Sequence, residues 1–214
     1  MSQPPASPLE LGDMKDERID LIERSTPFQG YFRIDRYRLR HRKFDGGWTE
    51  VLQREVFERG HAAAVLPYDP QRDAVVLIEQ FRVGALAAGL EPWLIETVAG
   101  IIDPGETAEE VVRREAVEEA GCSVTDLELM GTFLLSPGAC TESLAMFCGR
   151  TDSRGLEGGI HGLDHEGEDI RVMVVSFEAA MALLEQGRVS NMNAVAALQW
   201  LALHRERLRA LWAA

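Results

Sequence analysis

The alternation of apolar and polar residues changes character several times along this chain. From Tyr31 to Arg40 aromatic and aliphatic residues are interleaved with arginines, Asp45-Gly46-Gly47 signals a hairpin turn, and Thr49 to Phe57 returns in the same style. Residues 18–58 therefore read as antiparallel strands. After Gly60 the pattern shifts. His61 to Pro67 and Ala74 to Ile78 are short, continuous apolar runs around an Asp69-Pro70 turn, as expected of strands buried on both faces. Glu79 to Arg82 continues the second run with polar residues, and Trp93 to Ala99 reads as one further strand. Leu127 to Leu135 and Leu144 to Gly149 predict two more, separated by the breaker Ser136-Pro137-Gly138. Residues 151–169 are rich in glycine and acids and read as a loop, followed by a strand from Ile170 to Phe177. A short helix then runs from Phe177 to Gln186 and is stopped by Gly187. A last helix, capped by Ser190 or Asn191, reaches about Leu211, with Val195, Leu198, Leu201 and Ala202 at core spacing.

One stretch conflicts with simple core patterning. Asp103-Pro104-Gly105 is a turn, Thr107 is a good N-cap, Glu110 completes a capping box, and Gly121 is placed to end the helix. The helix from Ala108 to Ala120 is about 20 Å long at roughly 1.5 Å per residue. At about 100° per residue, Ala108, Val111, Val112 and Ala116 share one face, with Glu115 and Glu119 in its middle. Glu118 lies beside that face and Arg114 one step further round, while Glu109, Glu110 and Arg113 point away as solvated charges. Carboxylates at i and i+4 repel by a few tenths of a kcal/mol in water, and by more when partly buried. A divalent cation reverses that cost, and clustered carboxylate oxygens suit a hard ion such as Mg²⁺ or Mn²⁺. An acidic helix facing water would explain a lone Glu-x-x-Glu-Glu. It does not explain the turn, cap, arginine and terminal glycine that stand in register with it.

Bulk properties narrow the field. A length of 214 residues suits one domain of ordinary size with a small appendage. The formal charge of −13 argues against non-specific binding to nucleic acid, and an anionic phosphate substrate would need cations and arginines to approach. Against that background Arg33, Arg36, Arg38, Arg40, Arg42 and Lys43 form a basic stretch. It is either a set of solvated strand edges or a surface that meets a partner subunit or phosphate. Cys122, Cys140 and Cys148 are an odd set without zinc spacing and read as thiols in a reducing compartment. With no signal-peptide pattern and no apolar run near ~20 residues, the expectation is a cytoplasmic protein without a membrane span. Residues 1–15, with Pro4, Pro5 and Pro8, are expected to be a disordered tail.

The stretch from Gly100 to Cys122 resembles the Nudix box, G-x5-E-x7-R-E-U-x-E-E-x-G-U, where U is bulky and apolar. Gly100, Glu106, Arg114, Glu115, Glu118, Glu119 and Gly121 all match, and Ala116 and Cys122 are smaller than usual at the U positions. The resemblance implies an α/β fold, the Nudix α/β/α sandwich with a mixed sheet, over residues 59–214. A small N-terminal antiparallel β subdomain at 16–58, serving dimerisation, would precede it. It implies that Glu115 and Glu119, with the backbone carbonyl of Ala99, hold the metal ions, and that Glu118 is a further candidate. Arg114 would orient a box glutamate through a charge-assisted bond. Gly100 would let the backbone approach the metals, and Glu106 would support the helix start.

A general base is still required. The acidic loop at 164–169 could swing a carboxylate inward, although its composition also fits a solvated loop. The segment Gly159 to Val172 is similar to bacterial ADP-ribose pyrophosphatases within the family. That likeness implies Glu166 as base and Glu168 as a third metal carboxylate, with the reverse assignment left open. Pro137 stands fifteen residues after Cys122, as in that subgroup. Arg59 to Pro67, Val76 to Arg82, Ser136 to Gly138 and Ala197 to Leu201 extend the likeness, which runs from about Tyr31 to His204. It implies Mg²⁺-dependent hydrolysis of ADP-ribose to AMP and ribose 5-phosphate by a homodimer with exchanged N-terminal strands. Arg54 and Arg82 become candidates for phosphate or ribose contacts, and Ser136 and Glu142 for the terminal ribose. Tyr31 or Phe32 could stack on adenine, the competing reading for both being core. Alternative functions are hydrolysis of another nucleotide sugar such as GDP-mannose, or a non-catalytic ADP-ribose sensor. Sensors of that kind lose box glutamates, and this chain keeps all of them.

Overall fold

A computed structural model describes residues 16–156, 158–163, 165 and 167–212. The expected tail at 1–15 lies outside them. Contacts divide the chain into two units, Met1–His61 with Phe133–Leu144, and Ala62–Thr132 with Ala145–Ala214.

In the first unit β1 (Ile19–Gln29), β2 (Arg33–His41) and β3 (Leu52–Glu58) form a three-stranded antiparallel sheet in the order β1-β2-β3. The Asp45-Gly46-Gly47 turn forms as expected and is closed by an isolated Arg42–Trp48 bridge and by the Thr49 N–H, which donates to the His41 carbonyl (2.9 Å), but the β2–β3 ladder begins only at Leu52, so Thr49 to Val51 lie outside the return strand. The basic stretch is largely neutralised across strands. Arg36 pairs with Glu55, Arg38 with Glu23 and Arg40 with Asp20, each pair directly opposite in the ladder. Asp35 is buried and accepts from Arg24 (2.6 Å) and Thr26 (2.7 Å), with Arg33 alongside. The segment 133–144 joins this unit through Phe57, whose N–H donates to Ala139 and whose carbonyl accepts from Thr141.

The second unit is built on β4 (Ala62–Asp69) and β5 (Ala74–Phe81), two antiparallel strands buried almost throughout. The mixed sheet runs β10-β11-β5-β4-β9-β8, from β8 (Leu127–Leu134), β9 (Ser143–Arg150), β10 (Gly159–His161) and β11 (Ile170–Ser176). Trp93 to Ala99 is not one strand. It divides at Thr97 into β6 (Trp93–Glu96), paired with β5, and β7 (Val98–Ile101), paired with β4. A short helix α1 (Val83–Ala87), with no buried residue, precedes it. Side chains alternate across strands. Ala63, Val65, Val76 and Ile78 pack with Val111, Val112 and Ala116 of α2 (Ala108–Ala120). Ala64, Leu66, Val75 and Leu77, equally buried, face the other way. There α3 (Phe177–Glu185) lies against β5 and β11, and α4 (Met192–Trp212) against β4 and β6. This is the expected sandwich. No described helix is long and apolar enough to cross a membrane.

Candidate active site

The α2 helix has its expected ends. Thr107 Oγ1 accepts from the Glu110 N–H (3.2 Å), and Glu110 accepts from the Thr107 N–H (2.8 Å). At the other end Gly121 adopts φ 60°, the left-handed conformation that glycine takes without strain. It also leaves room for His161, whose ring an added Cβ would meet at 2.6 Å. The β10 hairpin, unseen in the loop-like composition of 151–169, is therefore seated on the end of α2. The Gly162 N–H donates to the Glu118 carbonyl (3.3 Å).

Glu119 is buried, and its carboxylate accepts from the Ala99 N–H at 3.0 Å. Glu115 lies under Gly100 so closely that a Cβ there would sit 1.8 Å from Glu115 Oε1. Arg114 ties the remaining acids together. Its Nη1 donates to Glu115 (2.7 Å) and Glu118 (3.0 Å), and its other nitrogens face Glu106. Glu168 accepts from the Leu163 N–H (3.0 Å) and acts electrostatically on both Glu115 and Glu119. Burial, reinforced by neighbouring carboxylates, pushes the Glu115 carboxyl up to about 7 and that of Glu119 up to about 8. Arg113 is not the solvated charge expected. It donates to the carbonyls of Val124 (2.5 Å) and Thr125 (2.8 Å), fastening the segment that follows the helix.

Ala99, Arg114, Glu115, Glu118, Glu119 and Glu168 are thus brought into one cluster, while Glu166 and Asp164 lie outside the described residues. Among the described residues no three acidic, histidine or cysteine side chains already converge on a metal-ligating point. Glu115 is turned to Arg114, and Glu119 to the Ala99 N–H.

Arg82 also faces this cluster, acting on Glu119 and Glu168. It is held by Glu96, a buried residue that the sequence reading left within an apolar strand. A lone glutamate among Trp93, Leu94, Ile95 and Val98 was the available signal. In the first unit, Glu142 is buried and paired with Arg59 (3.5 Å), and burial raises its carboxyl despite Arg59 and His61. His61 Nδ1 accepts from the Ser143 N–H (3.3 Å) and lies 2.9 Å from its hydroxyl. Ser136 caps a turn through its carbonyl, which accepts from Ala139 and Cys140. Arg54 is exposed and donates to the Gln53 carbonyl. Tyr31 is 88% exposed, so it is not a core residue, whereas Phe32 packs edge-on against Phe57.

Sequence relatives match this chain over most of its length. The ADP-ribose pyrophosphatase of Escherichia coli (strain K12) is 49% identical over 195 residues, covering 91% of this chain and 93% of its own. The GDP-mannose pyrophosphatase of Pectobacterium atrosepticum is 32% identical over 182 residues, covering 85% and 92%. A crystal structure of an ADP compounds hydrolase superposes with a TM-score of 0.68 at 21% identity, over 91% of this chain and 96% of that one, a likeness of fold. The NUDIX domain model matches residues 58–203, which span the acid-lined helix, both central strands and the β10 hairpin, and the chain belongs to the NUDIX family.

Proposed function

We propose that this protein hydrolyses the pyrophosphate of ADP-ribose to AMP and ribose 5-phosphate, using a divalent metal ion. Dependence on such an ion is general among Nudix hydrolases. The observation that carries the reading is the pair Glu115 and Glu119, packed against Ala99–Gly100 with their carboxyls pushed up to about 7 and about 8. Two acids held together at such cost are well explained by a cation that neutralises them.

The residues fit a hard ion. Their donors are carboxylate and backbone oxygens, and the space left by Gly100 admits the Glu115 carboxylate, which any Cβ would displace. Glu115, Glu119, Glu168 and the Ala99 carbonyl would hold it, with Glu118 at the rim. Mg²⁺ is the expected ion, and Mn²⁺ can substitute. When bound, it supplies charge neutralisation at the pyrophosphate and acidifies water. The chain's own residues do the rest. Arg114 keeps Glu115 and Glu118 oriented. Arg82 and Arg54 bind phosphate or ribose oxygens, Ser136 and Glu142 the terminal ribose, and Tyr31 the adenine face. Glu166 takes the proton from the water whose oxygen attacks phosphorus as the bridging P–O bond breaks.

Exposed Ile22 and Phe28 on β1, with exposed Tyr31, Phe44 and Val51 on the connections beside the strands, support a homodimer in which the N-terminal strands meet a second copy. The free thiols of Cys122, Cys140 and Cys148 support a cytoplasmic enzyme. The GDP-mannose pyrophosphatase relative favours a second reading, in which the same acids act on GDP-mannose.

The test is turnover of ADP-ribose, GDP-mannose, NADH and diadenosine polyphosphates with Mg²⁺ and with EDTA. Metal-dependent release of AMP, fastest from ADP-ribose, is expected. Faster hydrolysis of GDP-mannose would transfer the assignment to that sugar. Binding of ADP-ribose without hydrolysis of any member would make the protein a sensor.

A further inference from the structure

We propose that Glu96 and Asn191 are positioning residues that hold the Arg82 guanidinium ready for the substrate's pyrophosphate. The inference rests on the assignment of Arg82 as a phosphate contact.

Glu96 is the last residue of β6 and is 4% exposed. Its Oε2 accepts from Arg82 Nε (2.9 Å) and from Gln80 Nε2 (3.3 Å), with Arg82 Nη2 in ion-pair contact at 2.7 Å. Its Oε1 accepts from Asn191 Nδ2 at 2.7 Å. Both carboxylate oxygens are therefore engaged, from β5, from the turn after it, and from the residue ahead of α4. A long arginine side chain, half exposed beyond the end of β5, is fixed along its Nε–Nη2 edge. Its other edge, Nη1 with the second Nη2 hydrogen, remains for a pair of phosphate oxygens. Arg82 acts electrostatically on Glu119 and Glu168, so the anchored guanidinium stands beside the acid cluster.

Asn191 explains why the anchor holds its direction. Its Oδ1 accepts from the N–H groups of Asn193 (2.9 Å) and Ala194 (3.2 Å), capping α4. The amide is thereby oriented with Nδ2 toward Glu96. Serine or aspartate would cap the helix as well, but the serine hydroxyl stands one bond nearer the backbone than Nδ2, and aspartate has no donor and would set a second carboxylate against Glu96. One asparagine joins the start of α4 to the guanidinium, across 95 residues of sequence from Glu96.

The experiment is a double-mutant cycle read by binding, without turnover. The probe is the α,β-methylene analogue of ADP-ribose, titrated calorimetrically in EDTA. Glu96→Gln and Arg82→Ala are each expected to weaken binding about tenfold, since each removes a charge-assisted contact or its direction. The pair together should bind no more weakly than Arg82→Ala alone. Asn191→Ser keeps the cap and should weaken binding about threefold, again only where Arg82 is present. With metal, the loss in kcat/KM should appear in KM. A Glu96→Gln effect that persists in full in the Arg82→Ala background overturns the proposal, as does wild-type affinity in Glu96→Gln. Should Glu96→Gln fail to fold, Asn191→Ser in the two Arg82 backgrounds decides by the same criterion. If the wild type ignores the ADP-ribose analogue but binds GDP-mannose, the substrate assignment fails, and the cycle run with GDP-mannose decides the anchor separately.

Discussion

Gly100→Ala is the sharpest test of the acid cluster. The glycine's backbone is open to any residue, because its φ lies outside the left-handed region. What alanine adds is one methyl group, placed 1.8 Å from Glu115 Oε1, 2.4 Å from its Cδ and 2.6 Å from its Cγ. Ordinary contact requires the carboxylate to retreat by roughly 1.5 Å. Those atoms are the far end of a flexible side chain, so the fold can absorb the change, and removing a glycine restricts the unfolded chain. The metal-free melting temperature should therefore change by only a few degrees. Function should not survive so well, since a displacement of about 1 Å at a reacting centre costs on the order of 100-fold. The expected result is kcat reduced by about 100-fold or more, with loss of the rise in melting temperature that Mg²⁺ gives the wild type by linkage. The assay pairs AMP release with thermal melts in Mg²⁺ and in EDTA. Turnover within about threefold of wild type, together with an unchanged Mg²⁺ shift, would refute the view that the Gly100–Glu115 fit places the metal carboxylate.

Glu119→Gln should lower kcat by about 100-fold or more while leaving binding of the methylene analogue in EDTA within about threefold, and near-normal rates with Mg²⁺ would remove it from the metal site. Glu166→Gln should slow turnover while Mg²⁺ still raises the melting temperature; loss of that rise would exchange its role with Glu168. The raised carboxyls of Glu115 and Glu119 set a pH dependence. The metal-free folded state retains protons that the unfolded state releases near its ordinary value of about 4.5, so stability falls as pH rises toward about 8. Thermal melts in EDTA between those limits should show the decline and melts in saturating Mg²⁺ should reduce it, whereas parallel curves would contradict the shared site. Asp35→Asn leaves Arg24 and Arg33 without their buried carboxylate and should destabilise the N-terminal sheet by about 3 kcal/mol, measured by urea unfolding. A loss under about 1 kcal/mol would mean that solvent already reaches that cluster.

The acid-bearing helix could be read without a structure because its determinants are local. The capping box at Thr107 and Glu110, the stop at Gly121, and the angular placement of Glu115 and Glu119 among Val111, Val112 and Ala116 all lie within a few turns of one another. A helix fixes these relations by its own period. The buried strands β4 and β5 were evident for a similar reason, as continuous apolar runs between turn signals.

Pairing choices are not local, and the sequence pattern left them open. Nothing between Trp93 and Ala99 marks Thr97 as the residue where the chain leaves β5 and joins β4. That switch puts Glu96 against Arg82 on one side and Ala99 against Glu119 on the other. The turn of Arg113 toward Val124 and Thr125 and the seating of His161 over Gly121 depend likewise on segments that meet only after folding. By itself, the sequence determined which acids share a helix face and how that helix begins and ends. Tertiary structure alone decided which backbone atoms those acids lie against and which distant residues hold their neighbouring arginine, because burial and hydrogen bonding are satisfied across the sheet rather than along the chain.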